Sequence, residues 1–313
     1  MKLTFIDIAD VQSDIDQNAL AIHFNTSFHT AKEAPDLPVP SNEPTSFSQW
    51  APFILRSRGL PESALQIVTL TRSQMNTVVL AARASINTRQ LSLSYAEDLR
   101  EEVNPSFEKL IFPTEGLFMR LGACSPKDGT ETTPGKASLH SVDDIMLRLT
   151  TSQRAWSALT NILNTDANHA CIYFLPFDKR MRTEAEYRVF CMPSSLRITA
   201  VSQYKWHKRW IFAQGTKEEM EETALKILDG IEKIHAQIVG RLHDAGEGEL
   251  LEDLQRQGFT FDVLHIDDKN FMLIELNTFG VRSQCGSCLF QWVKDRDTIY
   301  GVSSKEVEFR VAR

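Results

Sequence analysis

The sequence predicts an α+β fold, and three observations carry the prediction. Runs of β type occur at 65–70, 171–175, 186–190 with a continuation over 196–203, 259–266 and 271–277. Two helices are marked by capping signatures at Ser141 and Thr216, and they fall among the strands without the alternation of a doubly wound parallel sheet. Neither a Gly-x-Gly-x-x-Gly turn nor a Gly-Lys-Ser/Thr loop is present, so neither a dinucleotide fold nor a Walker-type phosphate site is supported.

Taken in order, residues 1–30 open on a strand-like LTFID and continue with helix-like residues. Pro35, Pro38, Pro40 and Pro44 then crowd the polar segment 31–45. Proline at that density stops helices and cannot donate to a sheet ladder, which predicts an extended, exposed linker. The expected organisation is an N-terminal extension with its Pro-rich linker over 1–45, a smaller lobe over 46–175 and a larger lobe over 176–313. Residues 118–121 read as a strand running into the turn Ser125-Pro-Lys127-Asp128-Gly129. Ser141-Val-Asp-Asp144 reads as a capping box ahead of Ile145, Met146 and Leu149. Thr216-Lys-Glu-Glu219 opens the longest periodic segment, with apolar residues from Met220 to Leu242 near a 3.6 period and Glu218, Glu219, Glu221 and Glu222 on the wet face. His235 and His243 on this helix read as surface or packing residues.

Hydrophobic residues make up 42% of the 313 and charged residues 24%, the profile of a soluble globular protein. Lys+Arg 34 against Asp+Glu 41 leaves a net charge of −7, which argues against broad contact with nucleic acid or an anionic membrane surface. A small basic pocket, the kind that holds a nucleotide, remains compatible with that balance. Five scattered cysteines are not a secreted disulfide scaffold. With no signal-like apolar run and no stretch near the ~20 residues of a membrane span, the expected location is cytoplasmic.

The most informative segment is the final strand pair. Phe259-Thr-Phe-Asp262-Val-Leu-His-Ile266 and Phe271-Met-Leu-Ile-Glu275-Leu-Asn277 flank the turn-forming Asp267-Asp-Lys-Asn270. A hairpin closed there sets Asp262 opposite Glu275 on one face, with Asn277 on that face by the period-2 pleat. Phe261, Val263, Ile274 and Leu276 are then expected to point the other way, into a core. Opposed carboxylates repel unless a cation neutralises them, and two carboxylates beside an amide oxygen suit Mg²⁺. The plainer alternative is a solvated outer face. Upstream, Arg120 follows an apolar run and Lys127 sits in a turn, each able to reach phosphate oxygens. Glu186-Tyr-Arg188 places an acid and a guanidinium on one strand face, which taken alone reads as a cross-strand salt bridge.

Together and in this order, these segments resemble the cell division cycle protein 123 family, whose fold is of the ATP-grasp type. The resemblance runs from about Phe47 to Trp292. It is carried by Phe47-Ser-Gln-Trp50-Ala-Pro52, Arg120 to Gly129, Glu186-Tyr-Arg188-Val-Phe190, Val201-Ser-Gln203, Phe261-Asp262-Val263, Glu275-Leu-Asn277-Thr-Phe-Gly280 and Leu289-Phe-Gln-Trp292. The resemblance implies two α+β lobes with the nucleotide between antiparallel sheets, and ATP and Mg²⁺ as cofactors. It assigns Arg120 and Lys127 to the ATP phosphates and Arg188 to phosphate or substrate, with Lys127 and Arg188 as catalytic cations. Asp262, Glu275 and Asn277 become the metal ligands, and the strand Cys171 to Leu175 and its exit, Phe174 included, line the adenine pocket. The departures are Arg120 where the family has lysine, Gly129 where it has alanine and Glu275 where it has aspartate.

Two functions follow from the resemblance. One is an ATP-dependent carboxylate–amine ligase acting on an unknown small-molecule or protein acceptor, in specialised metabolism. The other is an assembly chaperone for translation initiation factor two, acting through its gamma subunit. Cys285-Gly-Ser-Cys288 lacks the second ligand pair of a structural zinc site and reads as two reduced cysteines near the nucleotide site.

Overall fold

The computed structural model describes residues 1–17, 22–243, 248–302 and 304–313. In chain order the elements are β1 Lys2–Ile6, α1 Ile8–Gln17, α2 Phe47–Ser57, β2 Gln66–Thr71, α3 Arg72–Ser85, the single-turn α4 Ala96–Asp98, β3 Leu117–Leu121, α5 Val142–Thr151, α6 Gln153–Leu163, β4 His169–Pro176, β5 Glu186–Cys191, β6 Ile198–Gln203, α7 Lys217–Leu242, α8 Gly248–Gln257, β7 Phe259–Asp267, β8 Asn270–Thr278, the short α9 Arg296–Ile299 and β9 Glu308–Ala312. They divide between two compact units, one of Met1–Arg58 with Arg180–Arg313 and one of Gly59–Lys179.

The first unit is built on a six-stranded sheet in the order β1-β9-β6-β5-β7-β8. β9 runs parallel to both β1 and β6, and the remaining pairs are antiparallel. α7 packs on this sheet through its apolar face, and its capping box forms in full: Thr216 Oγ1 accepts from Glu219 N, and the Glu219 carboxylate accepts from Thr216 N. Met220, Ala224, Ile227, Leu228, Ile231, Ile234, Ile238 and Leu242 form its buried face, while Leu225 of the same periodic set is exposed. Gly230 sits so close to the Phe271 ring that a Cβ there would lie 2.1 Å from it, so glycine sets the approach of helix to strand. His235 packs flat against Phe259 and Phe261 and bonds the Leu196 carbonyl through Nε2, so it is a packing residue.

The second unit holds a three-stranded antiparallel sheet in the order β2-β4-β3. Its core gathers Val68, Leu70, Met75, Val78, Leu121, Ile145, Leu149, Leu159, Ile172 and Phe174 from the strands and from α3, α5 and α6. At the start of α5, Ser141 Oγ accepts from Asp144 N, but the Asp144 carboxylate reaches back to His140 N rather than to Ser141 N. Only half of the expected box forms there.

The N-terminal segment departs from the expectation of an extension followed by a free linker. β1 is an edge strand paired with β9, Lys2 opposite Glu308. The proline-rich stretch is pinned along the first unit: Ala34 enters a core with Phe190, Phe279 and Trp292, Asp36 pairs with Arg296, and the Leu37 carbonyl accepts from Arg282. Proline denied this segment ladder bonds, as expected, but side-chain contacts fasten it instead. Residues 46–58 likewise lie with the first unit as α2. No helix among the described residues is long and apolar enough to cross a membrane.

Candidate functional site

The hairpin closes at the expected tetrapeptide. The Asp267 carboxylate accepts from the backbone N–H groups of Lys269 and Asn270 and from the Asn270 amide, which locks the turn. Asp262 stands opposite Glu275, as the spacing predicts. Two opposite register shifts lie between the turn and this pair, one between His265 and Asp267 and one beside Asp262, where Val263 pairs with Leu273 rather than Ile274. The extra residue turns Ile274 out of the expected core and onto Leu264 and Met272, whereas Phe261, Val263 and Leu276 are buried as expected.

On its other side Asp262 stands opposite Arg188 of β5, and Arg188 opposite Ser202 of β6. Ser202, Arg188, Asp262 and Glu275 therefore form one row across four strands. Asp262 is 0% exposed and Arg188 6%. Arg188 grips the carboxylate with both edges of its fork, Nε to Oδ1 at 2.8 Å and Nη2 to Oδ2 at 2.7 Å, and gives Nη1 to the Gly286 carbonyl at 2.7 Å. The Tyr204 ring lies 5.0 Å from the guanidinium carbon. Burial alone would lower the Arg188 pKa, but the Asp262 charge and hydrogen bonds, with the neighbouring Cys285 and Cys288, together outweigh it and hold the group well above its usual value, permanently cationic. Arg188 therefore positions Asp262, and it pairs with this carboxylate across the sheet rather than standing clear for a phosphate.

Asn277 gives Nδ2 to Asp262 Oδ2 at 3.2 Å, which leaves its amide oxygen as the atom suited to a cation. Among the described residues no group of three His, Cys, Asp or Glu gathers in metal-binding geometry. What the row offers is two carboxylates and one amide oxygen. Hard oxygens in this number fit Mg²⁺, which takes one or two carboxylates and completes its shell with water and phosphate.

The loop carrying the cysteine pair forms part of this face, a feature sequence reasoning placed only as nearby. Cys285 Sγ lies 3.2 Å from Thr260 Oγ1, and Gly286 between the cysteines supplies the carbonyl that Arg188 binds. Both thiols are free and buried. Burial pushes their pKa values up despite the nearby Arg188, so they stay protonated at neutral pH and are poor ligands and nucleophiles.

In the second unit, Arg120 on β3 stands opposite Tyr173 of β4. Both are nearly buried, on the sheet face opposite the core. Phe174 alternates to the core face, 0% exposed and edge-on to Phe107, so the side chain expected in an adenine pocket fills the hydrophobic core instead. An all-apolar strand carries no mark of which face is which. Lys127 is exposed on a turn held tightly at both sides. Asp128 accepts from Ser152 Oγ and Arg154 N at the start of α6, and its carbonyl accepts from Arg89. Gly129 packs so closely on α5 that a Cβ would lie 2.3 Å from the Arg148 carbonyl oxygen. That contact accounts for glycine where the resembled family has alanine.

No protein-family model and no curated protein matches this chain. Among solved structures it is similar to Cdc123 from Schizosaccharomyces pombe, with a TM-score of 0.55 and 16% identity over 92% of this chain and 100% of that one. The C-terminally truncated form of the same protein superposes with a TM-score of 0.54 and 17% identity, over 87% of this chain and 96% of that one. The likeness lies in the fold: α+β, with a mixed sheet and an antiparallel sheet.

Proposed function

We propose that this chain is a divergent Mg²⁺–ATP-binding protein of the Cdc123 type, with an ATP-grasp arrangement, and that it activates a carboxylate for amide bond formation. The reading is carried by the Arg188–Asp262–Glu275 row with Asn277 beside it, on a fold that spans all of the Cdc123 structure. In this reading Glu275, Asn277 and Asp262 hold Mg²⁺, which neutralises charge on the transferring phosphoryl group when bound. Arg188 keeps Asp262 ionised and aimed. Arg120 and Lys127 serve the nucleotide phosphates, and Tyr173 and Leu175, which alternate with Phe174, replace it as the β4 side chains offered to the base. The γ-phosphoryl group passes to a substrate carboxylate with loss of ADP, and an amine then displaces phosphate. Catalysis is positioning and electrostatics, so no Ser–His or Cys–His pair is needed.

The second reading, assembly of translation initiation factor two through its gamma subunit, is favoured by the coverage of the whole Cdc123 length. The two are separated by ADP release from the full chain with Mg²⁺–ATP and a pool of amino acids and small carboxylic acids. Substrate-stimulated ADP formation, lost in Glu275→Gln, is the expected result. Bound ATP with no stimulation across the pool would move the reading to assembly, and no Mg²⁺-dependent ATP binding at all would overturn both.

A further inference from the structure

The second unit contains a polar cavity that the nucleotide reading does not use. It has a volume of about 210 Å³ and is lined by Thr132, Thr133, Lys136, Ser138, His140, Asp144 and Arg148, with Leu139. Neither Arg120 nor Lys127 borders it. Its size falls below the ~300 Å³ of the smallest organic-ligand pockets and leaves room for a tetrahedral ion with a few waters.

Arg148 is the telling member. It is 7% exposed, yet no carboxylate lies within ion-pair distance among the described residues. Its Nε donates to the Thr130 carbonyl at 3.2 Å and its Nη2 to the Ala137 carbonyl at 3.5 Å. Among the described residues the remaining N–H groups of this five-donor guanidinium have no protein acceptor, and Arg148 borders the cavity. Lys136 Nζ and Thr133 Oγ1 are also without a partner among the described residues, and Ser138 Oγ lies 3.0 Å from His140 Nε2. The nearby acids are already engaged: Asp144 accepts from Thr132 Oγ1 and His140 N, and Glu131 accepts from Gly135 N. Two cations and a hydroxyl with unused donors thus converge on a small space, while the carboxylate there is turned to its own hydrogen bonds.

We propose that this cavity binds a phosphate-class oxyanion, with Arg148 as the buried fork, Lys136 as the outer cation and Thr133 as a hydroxyl donor. The site stands apart from the proposed metal residues and is tested without nucleotide. The full chain is titrated with inorganic phosphate at constant ionic strength, chloride serving as the control, and binding is read by thermal shift and by ³¹P line broadening. Saturable stabilisation is expected, with the half-saturating concentration rising roughly tenfold in Lys136→Ala, the loss of one charge-assisted contact. Arg148→Gln should abolish the response. Because Arg148 also ties down two carbonyls, the exposed Lys136→Ala and Thr133→Val carry the test should Arg148→Gln not fold. A response no different from chloride, or one unchanged in Lys136→Ala, overturns the site. A second titration identifies the source of the anion: ATP that displaces phosphate marks the site as one for nucleotide phosphate, and simultaneous binding marks it as one for free phosphate. ATP binding retained in Lys136→Ala, with phosphate binding weakened, separates this site from the nucleotide reading.

Discussion

Replacing Asp262 by Asn removes the counter-charge of a buried arginine and one of the two acceptor oxygens its fork grips. Asp262 is 0% exposed and both its oxygens receive N–H groups from Arg188, at 2.7 and 2.8 Å. Breaking one partner of a buried pair costs about 3–5 kcal/mol, since the remaining charge stays desolvated. Two contacts soften the loss here. The Gly286 carbonyl still holds Nη1, and the Tyr204 ring still faces the guanidinium, a contact contributing up to ~2 kcal/mol when desolvated. We therefore expect Asp262→Asn to destabilise the first unit by about 3 kcal/mol, the lower end of that range. The double variant Arg188→Met/Asp262→Leu should recover most of it, because similarly sized apolar residues carry no desolvation cost. Urea unfolding followed by tryptophan fluorescence reads this unit, which holds Trp50, Trp206, Trp210 and Trp292 of the five tryptophans. A loss under 1 kcal/mol in Asp262→Asn, or a double variant less stable than the single, would refute the reasoning.

Four further outcomes are expected. Glu275→Gln and Asn277→Ala should each weaken Mg²⁺-dependent ATP binding tenfold or more, roughly one lost metal ligand, with urea midpoints near the parent value; calorimetry with and without Mg²⁺ checks this. Gly129→Ala should cost about 1–3 kcal/mol, since its Cβ meets the Arg148 backbone, and thermal unfolding that matched the parent would remove the steric argument. Burial lowers the pKa of His235 below the ordinary 6.5, so stability is complete above that value and declines as pH falls through the folded pKa. His235→Phe should flatten part of that decline; His207 and His265, lowered by burial in the same way, contribute to what remains. Finally, Cys124 and Cys171 are half-buried, whereas Cys191, Cys285 and Cys288 are buried, so a thiol reagent should label two groups rapidly and the others only on unfolding.

What could be read from the residues was local. Helix α7 was legible because a 3.6 period and a capping box lie within one continuous segment, and its box formed in full. The Asp262–Glu275 opposition was legible because the turn sets the starting register and the two register shifts between it and this pair cancel. The strand Glu308–Ala312 was not recognised at all, because five residues at the end of the chain reveal a strand only through what they pair with, here β1 and β6.

The sequence by itself determined the fold class, the two clear helices and the opposition of Asp262 and Glu275 on the hairpin, since each rests on short segments of the chain. Only the tertiary structure decided what Arg188 does. Its partner is Asp262, 74 residues away on an adjacent strand, and not the acid two residues before it. Tertiary packing also chose between Phe174 and Tyr173, which differ only in which face of an apolar strand turns to the core. Pairing across a sheet is a long-range choice settled by burial and register, and no spacing within a single strand records it.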